Sequence, residues 1–147
     1  MRARWWMVVG LSACGTSIEG QWVGKLACGG FPWDVTLSLE KGDDKNFVGD
    51  GTQERSFTNL DGLTTEIVIT FSADLSQEKA SGEQVLRGDW TCVDEVTSEI
   101  FAPGAEPEVL TAGCTPGRFA NYTLTWDGED AIAVDGSDGC SGDLSRR

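Results

Sequence analysis

The chain has 147 residues, which is enough for one domain with a sizeable hydrophobic core and too few for two. Its 24 acidic and 11 basic residues give a formal net charge of −13, which argues against nucleic acid and anionic membrane surfaces as partners of the folded domain. Histidine is absent, so the usual general base and commonest metal ligand is missing, and we predict no cofactor and no metal site. The one enzymatic alternative is a hydrolase that relies on carboxylates alone.

A targeting segment is the first element that the sequence predicts. Arg2 and Arg4 precede an apolar run over residues 5–11, which is far shorter than the ~20 residues that a membrane-spanning helix needs. The tetrapeptide Leu-Ser-Ala-Cys follows at residues 11–14. It resembles the lipobox of bacterial lipoprotein precursors, in which the cysteine receives diacylglycerol and becomes the new N-terminus. The alternative is an ordinary buried strand with an unrelated cysteine.

The lipobox resemblance implies that residues 1–13 are a cleaved signal peptide and that Cys14 carries the lipid, with acyl chains such as palmitate. Two or more acyl chains attach a protein stably to a bilayer. Residues 14–19 are then a short tether, and residues 20–147 form a single β domain. Because Gly15 rather than aspartate follows the cysteine, the resemblance further implies the outer membrane of a bacterial cell envelope.

Apolar and polar residues alternate with a period of two in six segments of the remaining chain, a pattern typical of strands with one buried face. The predicted inward-facing sets, in chain order, are Trp22, Gly24, Leu26 and Cys28; Trp33, Val35, Leu37 and Leu39; Ile67, Ile69, Phe71 and Ala73; Leu86, Gly88, Trp90 and Cys92; Ala120, Tyr122, Leu124 and Trp126; and Ile132 and Val134. A last strand is predicted from Cys140 to Arg146. Asp-Gly pairs that start at residues 50, 61, 127, 135 and 138 are predicted to form turns.

Short strands at this regular spacing predict an all-β fold. The simplest topology is a small antiparallel up-and-down β-barrel of about eight strands, and a β-sandwich is the alternative. Residues 93–117 interrupt the spacing, because they contain Pro103, Pro107 and Pro116 together with several acidic residues. We therefore predict a long loop over residues 93–117.

Two aromatic features resemble avidin-like and lipocalin-like barrels. The first is the opening Gly20-Gln21-Trp22, and the second is a late aromatic strand that ends at Trp126. This resemblance implies the barrel fold, and it carries over no ligand.

Five cysteines would leave one unpaired in an exported protein, and assigning Cys14 to the lipid removes the odd one. The other four are suited to disulfides in an oxidising compartment, with three possible pairings. In a closed meander with an even number of strands, the first and last strands are neighbours. Cys28 at the end of the first strand and Cys140 at the start of the last should then meet. Cys92 and Cys114 would close the predicted loop.

Four tryptophans of the predicted domain face inward, and they are Trp22, Trp33, Trp90 and Trp126. Either they fill the core, or they line an aromatic pocket for a small hydrophobic ligand. The functional prediction is a lipid-anchored envelope protein whose disulfide-bonded barrel is a binding or interaction module for an unknown partner, either a protein or a small hydrophobic ligand. The alternatives are a barrel that binds a small hydrophobic ligand and the carboxylate-dependent hydrolase.

Overall fold

Nine strands form one antiparallel sheet over residues 17–115 and 119–147, which are the residues that the computed structural model describes. In chain order they are β1 (Gly20–Cys28), β2 (Phe31–Lys41), β3 (Asn46–Thr58), β4 (Thr64–Glu78), β5 (Gly82–Ile100), β6 (Glu108–Ala112), β7 (Phe119–Trp126), β8 (Ala131–Gly136) and β9 (Cys140–Arg146). Gly29 and Gly30 form the turn from β1 to β2 with positive φ angles of 60° and 86°, a backbone region that glycine adopts without steric cost.

The sheet closes on itself. Consecutive strands from β1 to β5 pair with each other, β5 pairs with β7 past β6, and β9 returns to β1. The closing ladder runs from Trp22 opposite Arg146 to Cys28 opposite Cys140. The molecule is therefore a closed eight-stranded antiparallel up-and-down barrel with β6 as one extra strand, which confirms the predicted barrel over the β-sandwich.

The predicted loop over residues 93–117 is wrong. β5 continues past the barrel to Ile100 and pairs with the first half of β4, and β6 then pairs with this outer part of β5. Pro103 and Pro107 fall in the connection between β5 and β6, where they interrupt no ladder. Pro116 lies outside the described residues.

We call residues 55–70 and 93–115 the extension. It begins just after Glu54, the last residue of β3 that pairs with β2. In the extension, β3, β4, β5 and β6 continue beyond the barrel as neighbouring strands. A register shift between Thr70 and Phe71 of β4 leaves Val93 as an extra residue in β5. Such a bulge bends the strand and reverses which of its alternate residues face inward. The outer half of β5 therefore alternates in the opposite phase to its inner half.

The barrel interior is a packed core. Most residues that the period of two placed inward are buried, and five of them are partly buried, namely Gly24, Cys28, Ile67, Gly88 and Cys92. The largest fully buried side chains are Trp22, Tyr122, Phe47, Ile18, Leu26, Leu37, Leu39, Leu75, Leu86, Leu124, Ile132 and Leu144. Side-chain packing of this kind fills small barrels rather than leaving a pore.

Two disulfides join Cys28 to Cys140 and Cys92 to Cys114, with Cα atoms 4.1 and 6.0 Å apart, and these are the pairings that the meander predicts. Both lie at the end of the barrel where β1 ends and β9 begins, which we call the disulfide end. The opposite end, where β1 begins, is the Gly20 end. Two disulfides indicate a protein that folds in an oxidising compartment outside the cytoplasm.

Candidate functional site

The Gly20 end of the barrel is closed by the chain that enters it. Ile18 is fully buried, and its carbonyl accepts a hydrogen bond of 2.9 Å from Trp22 Nε1. The Arg146 guanidinium carbon lies 4.4 Å from the centroid of the Trp22 ring. Arg146 also donates to the carbonyl oxygens of Ser17 and Glu19, at 2.9 and 2.8 Å. Ile18, which the sequence analysis placed in the tether, is thus part of the core.

The four inward tryptophans are divided between the two ends. Trp22 and Trp126 lie at the Gly20 end, and Trp33 and Trp90 lie towards the disulfide end. Each is at most 8% exposed, and aliphatic and aromatic core residues fill the space between the pairs. The tryptophans therefore do not meet around one pocket, and Trp90 alone lines the cleft at the disulfide end.

This cleft has a volume of about 30 Å³. Its described lining residues are Gln53, Ile69, Phe71, Trp90, Cys92, Ala120, Tyr122 and Asp138. A space of that size holds about one water molecule, whereas pockets for drug-sized ligands span about 300–1,000 Å³. The cleft can accept one polar group, and not a whole small-molecule ligand.

A stack of three rings forms the wall of the cleft. The centroid of Trp90 lies 4.4 Å from that of Phe71 and 4.0 Å from that of Tyr122, and the planes are within 6° and 17° of parallel. Gly136 makes room for this stack, because a Cβ atom there would lie 2.6 Å from Tyr122 Cε1. The Tyr122 hydroxyl donates a 2.9 Å hydrogen bond to Asp138 Oδ2 in the turn before β9.

Two buried donors in the cleft have no acceptor among the described residues, Trp90 Nε1 and Gln53 Nε2. A buried donor without a partner costs about 1–3 kcal/mol, and neither of these two nitrogen atoms is exposed to the space inside the cleft. Ring contacts do not satisfy these donors, since aromatic faces are weak acceptors. The cleft is thus large enough for one water molecule, and the two donors lie in its wall without an acceptor among the described residues.

Burial raises the pKa of Tyr122, and the Asp138 carboxylate beside its hydroxyl raises that pKa further. The Gln53 amide lies close enough to oppose part of this increase, although its Nε2 atom reaches no acceptor at hydrogen-bonding geometry. Tyr122 is therefore a neutral phenol at physiological pH, and it acts as a hydrogen-bond donor in the wall of the cleft.

Above the cleft, the base of the extension carries a cation between two aromatic rings. The Arg55 guanidinium carbon lies 3.9 Å from the centroid of Phe31 and 4.9 Å from that of Phe57. Phe31 is 53% exposed and Phe57 is 42% exposed. This cluster leaves apolar surface open to solvent at the base of the extension.

Exposed apolar side chains are concentrated on the extension. Of the eight large apolar residues that are exposed in the described chain, six lie there, namely Phe57, Leu60, Val93, Phe101, Val109 and Leu110. Leu60 is completely exposed at the turn from β3 to β4, and Asn59 Oδ1 rigidifies this turn by accepting hydrogen bonds from the backbone of Asp61 and Leu63. An apolar patch that is confined to one end of a molecule is typical of an interaction surface.

The extension is also acidic. Its 39 residues contain one basic residue, Arg55, and seven acidic residues, which are Asp61, Glu66, Asp94, Glu95, Glu99, Glu106 and Glu108. Glu95 is 5% exposed, and its carboxylate accepts a 3.0 Å hydrogen bond from the Thr115 backbone. The remaining acidic residues are wholly or partly exposed, so they create a negative potential around the apolar patch.

The predicted lipidation residue, Cys14, lies outside the described residues, as do the rest of the predicted signal peptide and the first part of the tether. The described chain begins at Ser17, which lies at the Gly20 end. Across the described chain, no helix is long and apolar enough to span a membrane.

Two further depressions of about 180 and 260 Å³ lie against β1, β2 and β3. Backbone atoms and short polar side chains such as Ser38 and Asp50 line both of them. Neither contains an unpartnered buried polar atom. The described residues also contain no group of three or more cysteine, aspartate or glutamate side chains placed to hold a metal ion.

The fold and the two cross-links define the class of the protein, a small disulfide-bonded antiparallel β-barrel. No family model, curated protein or solved structure matches the chain. The resemblance to avidin-like and lipocalin-like barrels therefore concerns the strand pattern and goes no further.

Two residues of the cleft, Gln53 and Asp138, are absent from the predicted site residues. Gln53 occupies an inward position of β3, two residues beyond Gly51, but a polar residue among glycines gives no period-two signal. Asp138 was assigned to a turn, and the turn itself aims its carboxylate at Tyr122. The Asp-Gly pair at residue 138 is the one sequence feature that could have marked this corner of the cleft.

Proposed function

We propose that the protein is a lipid-anchored component of a bacterial cell envelope, and that its barrel is a binding module for another protein. The two disulfides support a location outside the cytoplasm. The tetrapeptide at residues 11–14 supports attachment through a lipid on Cys14, and Gly15 supports the outer membrane as the destination.

The observation that carries this proposal is that the chain enters at one end of the barrel and the exposed apolar residues lie beyond the other end. The chain enters at the Gly20 end, where Ile18 and Arg146 close the barrel. The exposed apolar residues lie on the extension, beyond the opposite end. An anchor at Cys14 would thus hold the Gly20 end near the bilayer and direct the extension away from it, towards soluble or neighbouring envelope proteins.

The packed interior favours a protein partner over an enclosed small ligand. The cleft at the disulfide end is about 30 Å³, while the extension offers several exposed large apolar side chains. Protein interfaces are built from such surface patches, whereas small hydrophobic ligands need a concave pocket that removes most of their surface from water.

The binding role also differs from the hydrolase alternative in the groups that it needs. A carboxylate-dependent hydrolase uses two carboxyl groups about 5–10 Å apart in a cleft. Asp138 is the one carboxylate among the described residues that line the cleft, and it already accepts the Tyr122 hydrogen bond. We therefore assign no catalytic step to the cleft.

Membrane fractionation of the Cys14→Ser variant tests the anchor. We expect the variant in the soluble fraction and the unchanged protein in the outer-membrane fraction, because serine has no thiol to receive the lipid. Thr16→Ser is the matched control, since it changes a neighbouring residue and leaves Cys14 intact. Continued membrane partition of Cys14→Ser would show that the lipobox interpretation is wrong.

Native mass spectrometry of protein purified from its host tests the choice between a protein partner and a small ligand. We expect the mass of the processed chain without any retained compound of a few hundred daltons. A small molecule that stays bound, and that is lost from a Trp90→Phe variant, would instead establish the ligand-binding barrel.

A further inference from the structure

We propose that β6 is a docking edge at which an extended, positively charged segment of a partner protein adds as one more strand. This inference rests on the proposed interaction role of the extension, and it names the partner's chemistry. The extra strand would continue the sheet order β3, β4, β5 and β6 by one position.

The backbone of β6 is available on one side. β6 pairs with β5, and among the described residues it forms no ladder on its other side. All five of its residues are exposed. A strand edge with unpaired N–H and C=O groups is a template for strand addition, and proteins commonly protect such edges with lysine, proline or a covering loop.

β6 has only part of this protection, since the strand is short and has a bulge but no covering strand among the described residues. Glu108–Ala112 contains neither lysine nor proline, and Pro107 falls just before it. Val109 is 59% exposed and Leu110 is 48% exposed. A register shift between Thr97 and Ser98 leaves Leu110 opposite no residue of β5, so its side chain contributes little to that pairing. An added strand would cover both apolar side chains.

The charge of the extension favours a basic partner over a second copy of this chain. The extension contains seven acidic residues and one basic residue, and Glu106 and Glu108 lie at or next to the β6 edge. Two copies meeting at β6 would bring two such negative surfaces together, which is unfavourable. A lysine-rich or arginine-rich segment would gain charge attraction, backbone hydrogen bonds and the apolar contacts at the same site.

The proposal is tested with labelled peptides and the full chain carrying Cys14→Ser, which alters none of the described residues. The probe is a seven-residue peptide of alternating lysine and valine. One control replaces its central valine with proline, which keeps the charge and removes a backbone donor. A second control alternates glutamate and valine. Fluorescence anisotropy should show that the first peptide binds about tenfold more tightly than either control.

Two variants locate the binding. Val109→Lys places a positive charge on the β6 edge, and Val48→Lys makes the same change at a residue that is 45% exposed on the barrel. Val109→Lys should weaken binding of the lysine-valine peptide about tenfold, and Val48→Lys about twofold or less. If Val109→Lys fails to fold, Leu110→Lys takes its place in this comparison.

Three results would overturn the proposal. Equal binding of the lysine-valine and proline-containing peptides would show charge attraction without strand pairing. Equal effects of Val109→Lys and Val48→Lys would place binding elsewhere. Sedimentation that shows a dimer, abolished by Val109→Lys, would identify a second copy as the occupant. None of these results depends on lipidation, which the membrane fractionation of Cys14→Ser tests separately.

Discussion

Tyr122 lies at the centre of the cleft wall, stacked on Trp90 and hydrogen-bonded to Asp138. It is the single tyrosine of the chain, so its ionisation can be followed without interference from other phenols. Its neighbours impose two requirements at this one position, an aromatic face for the stack and a hydroxyl for the turn before β9. Phenylalanine would meet the first requirement and fail the second.

We predict that Tyr122 does not ionise in the folded protein near pH 10, the ordinary pKa of tyrosine. Burial raises its folded-state pKa, so the unfolded chain loses this proton at lower pH than the folded chain. The corresponding contribution to the free energy of unfolding is fully present below about pH 10 and is lost as the pH rises towards the folded-state pKa. Ultraviolet absorbance of the phenolate measures the ionisation directly.

The matched control for this titration is Tyr122→Phe. It should lose about 1 kcal/mol of stability near neutral pH, because the Asp138 hydrogen bond is removed. Its free energy of unfolding should also fall less steeply than that of the unchanged protein above about pH 10. Ionisation of Tyr122 at its ordinary pKa while circular dichroism stays native would contradict the buried, hydrogen-bonded phenol.

Arg146 is the second residue with an unusual number of roles. It lies over Trp22 and donates to the carbonyl oxygens of Ser17 and Glu19. We expect Arg146→Ala to lower the free energy of unfolding by about 2 kcal/mol, since charge-assisted hydrogen bonds and a cation–π contact are lost together. Chemical denaturation measures this change.

Arg147→Ala is the control for Arg146→Ala. Arg147 is exposed, and its described hydrogen bond comes from the backbone, which donates to the Gln21 carbonyl. Its substitution should change stability by less than about 0.5 kcal/mol. Equal losses in the two variants would mean that removal of a positive charge, and not closure of the Gly20 end, causes the effect.

At the level of elements, β5 shows where a period of two stops being informative. Its inner half alternates as predicted through Leu86 and Trp90, because one face packs in the core. After Val93 the phase reverses at the bulge, and inward positions are taken by polar residues such as Glu95 and Thr97. Both faces of the extension contact water over much of their area, so the outer half of β5 has no sequence pattern that distinguishes it from a loop.

The Cys92–Cys114 disulfide connects β5 at the barrel mouth to the chain just after β6, across a separation of 22 residues. Replacing both cysteines with serine should cost about 3 kcal/mol and accelerate amide exchange in β6, because the strand loses the covalent link behind it. Hydrogen exchange read by mass spectrometry resolves this segment.

The comparison for this prediction is the paired serine variant of Cys28 and Cys140. That disulfide spans 112 residues, so the chain-entropy model assigns it a larger loss, about 5 kcal/mol. It joins β1 to β9, and it should leave the relative exchange of β6 unchanged. A selective effect on β6 from this second pair, and none from the first, would contradict the placement of the extension.

At the level of the whole molecule, the barrel could be predicted because one buried face repeats in strand after strand and because closure brings Cys28 beside Cys140. The candidate surface could not. Exposed apolar residues such as Leu60 and Phe101 carry no periodicity, and they lie on the same extension only because the bulged β5 projects beyond the barrel together with β4. Core packing requires a regular pattern of apolar residues, and no comparable requirement applies to the exposed surface of the extension.

In the proposed function of the whole molecule, a lipid on Cys14 holds the Gly20 end at a membrane and directs the extension away from it. The intact mass of protein extracted from bacterial membranes shows whether Cys14 carries that lipid. We predict the mass of residues 14–147 with a diacylglyceryl group on Cys14. An unmodified Cys14, or a chain that retains residues 1–13, would contradict it.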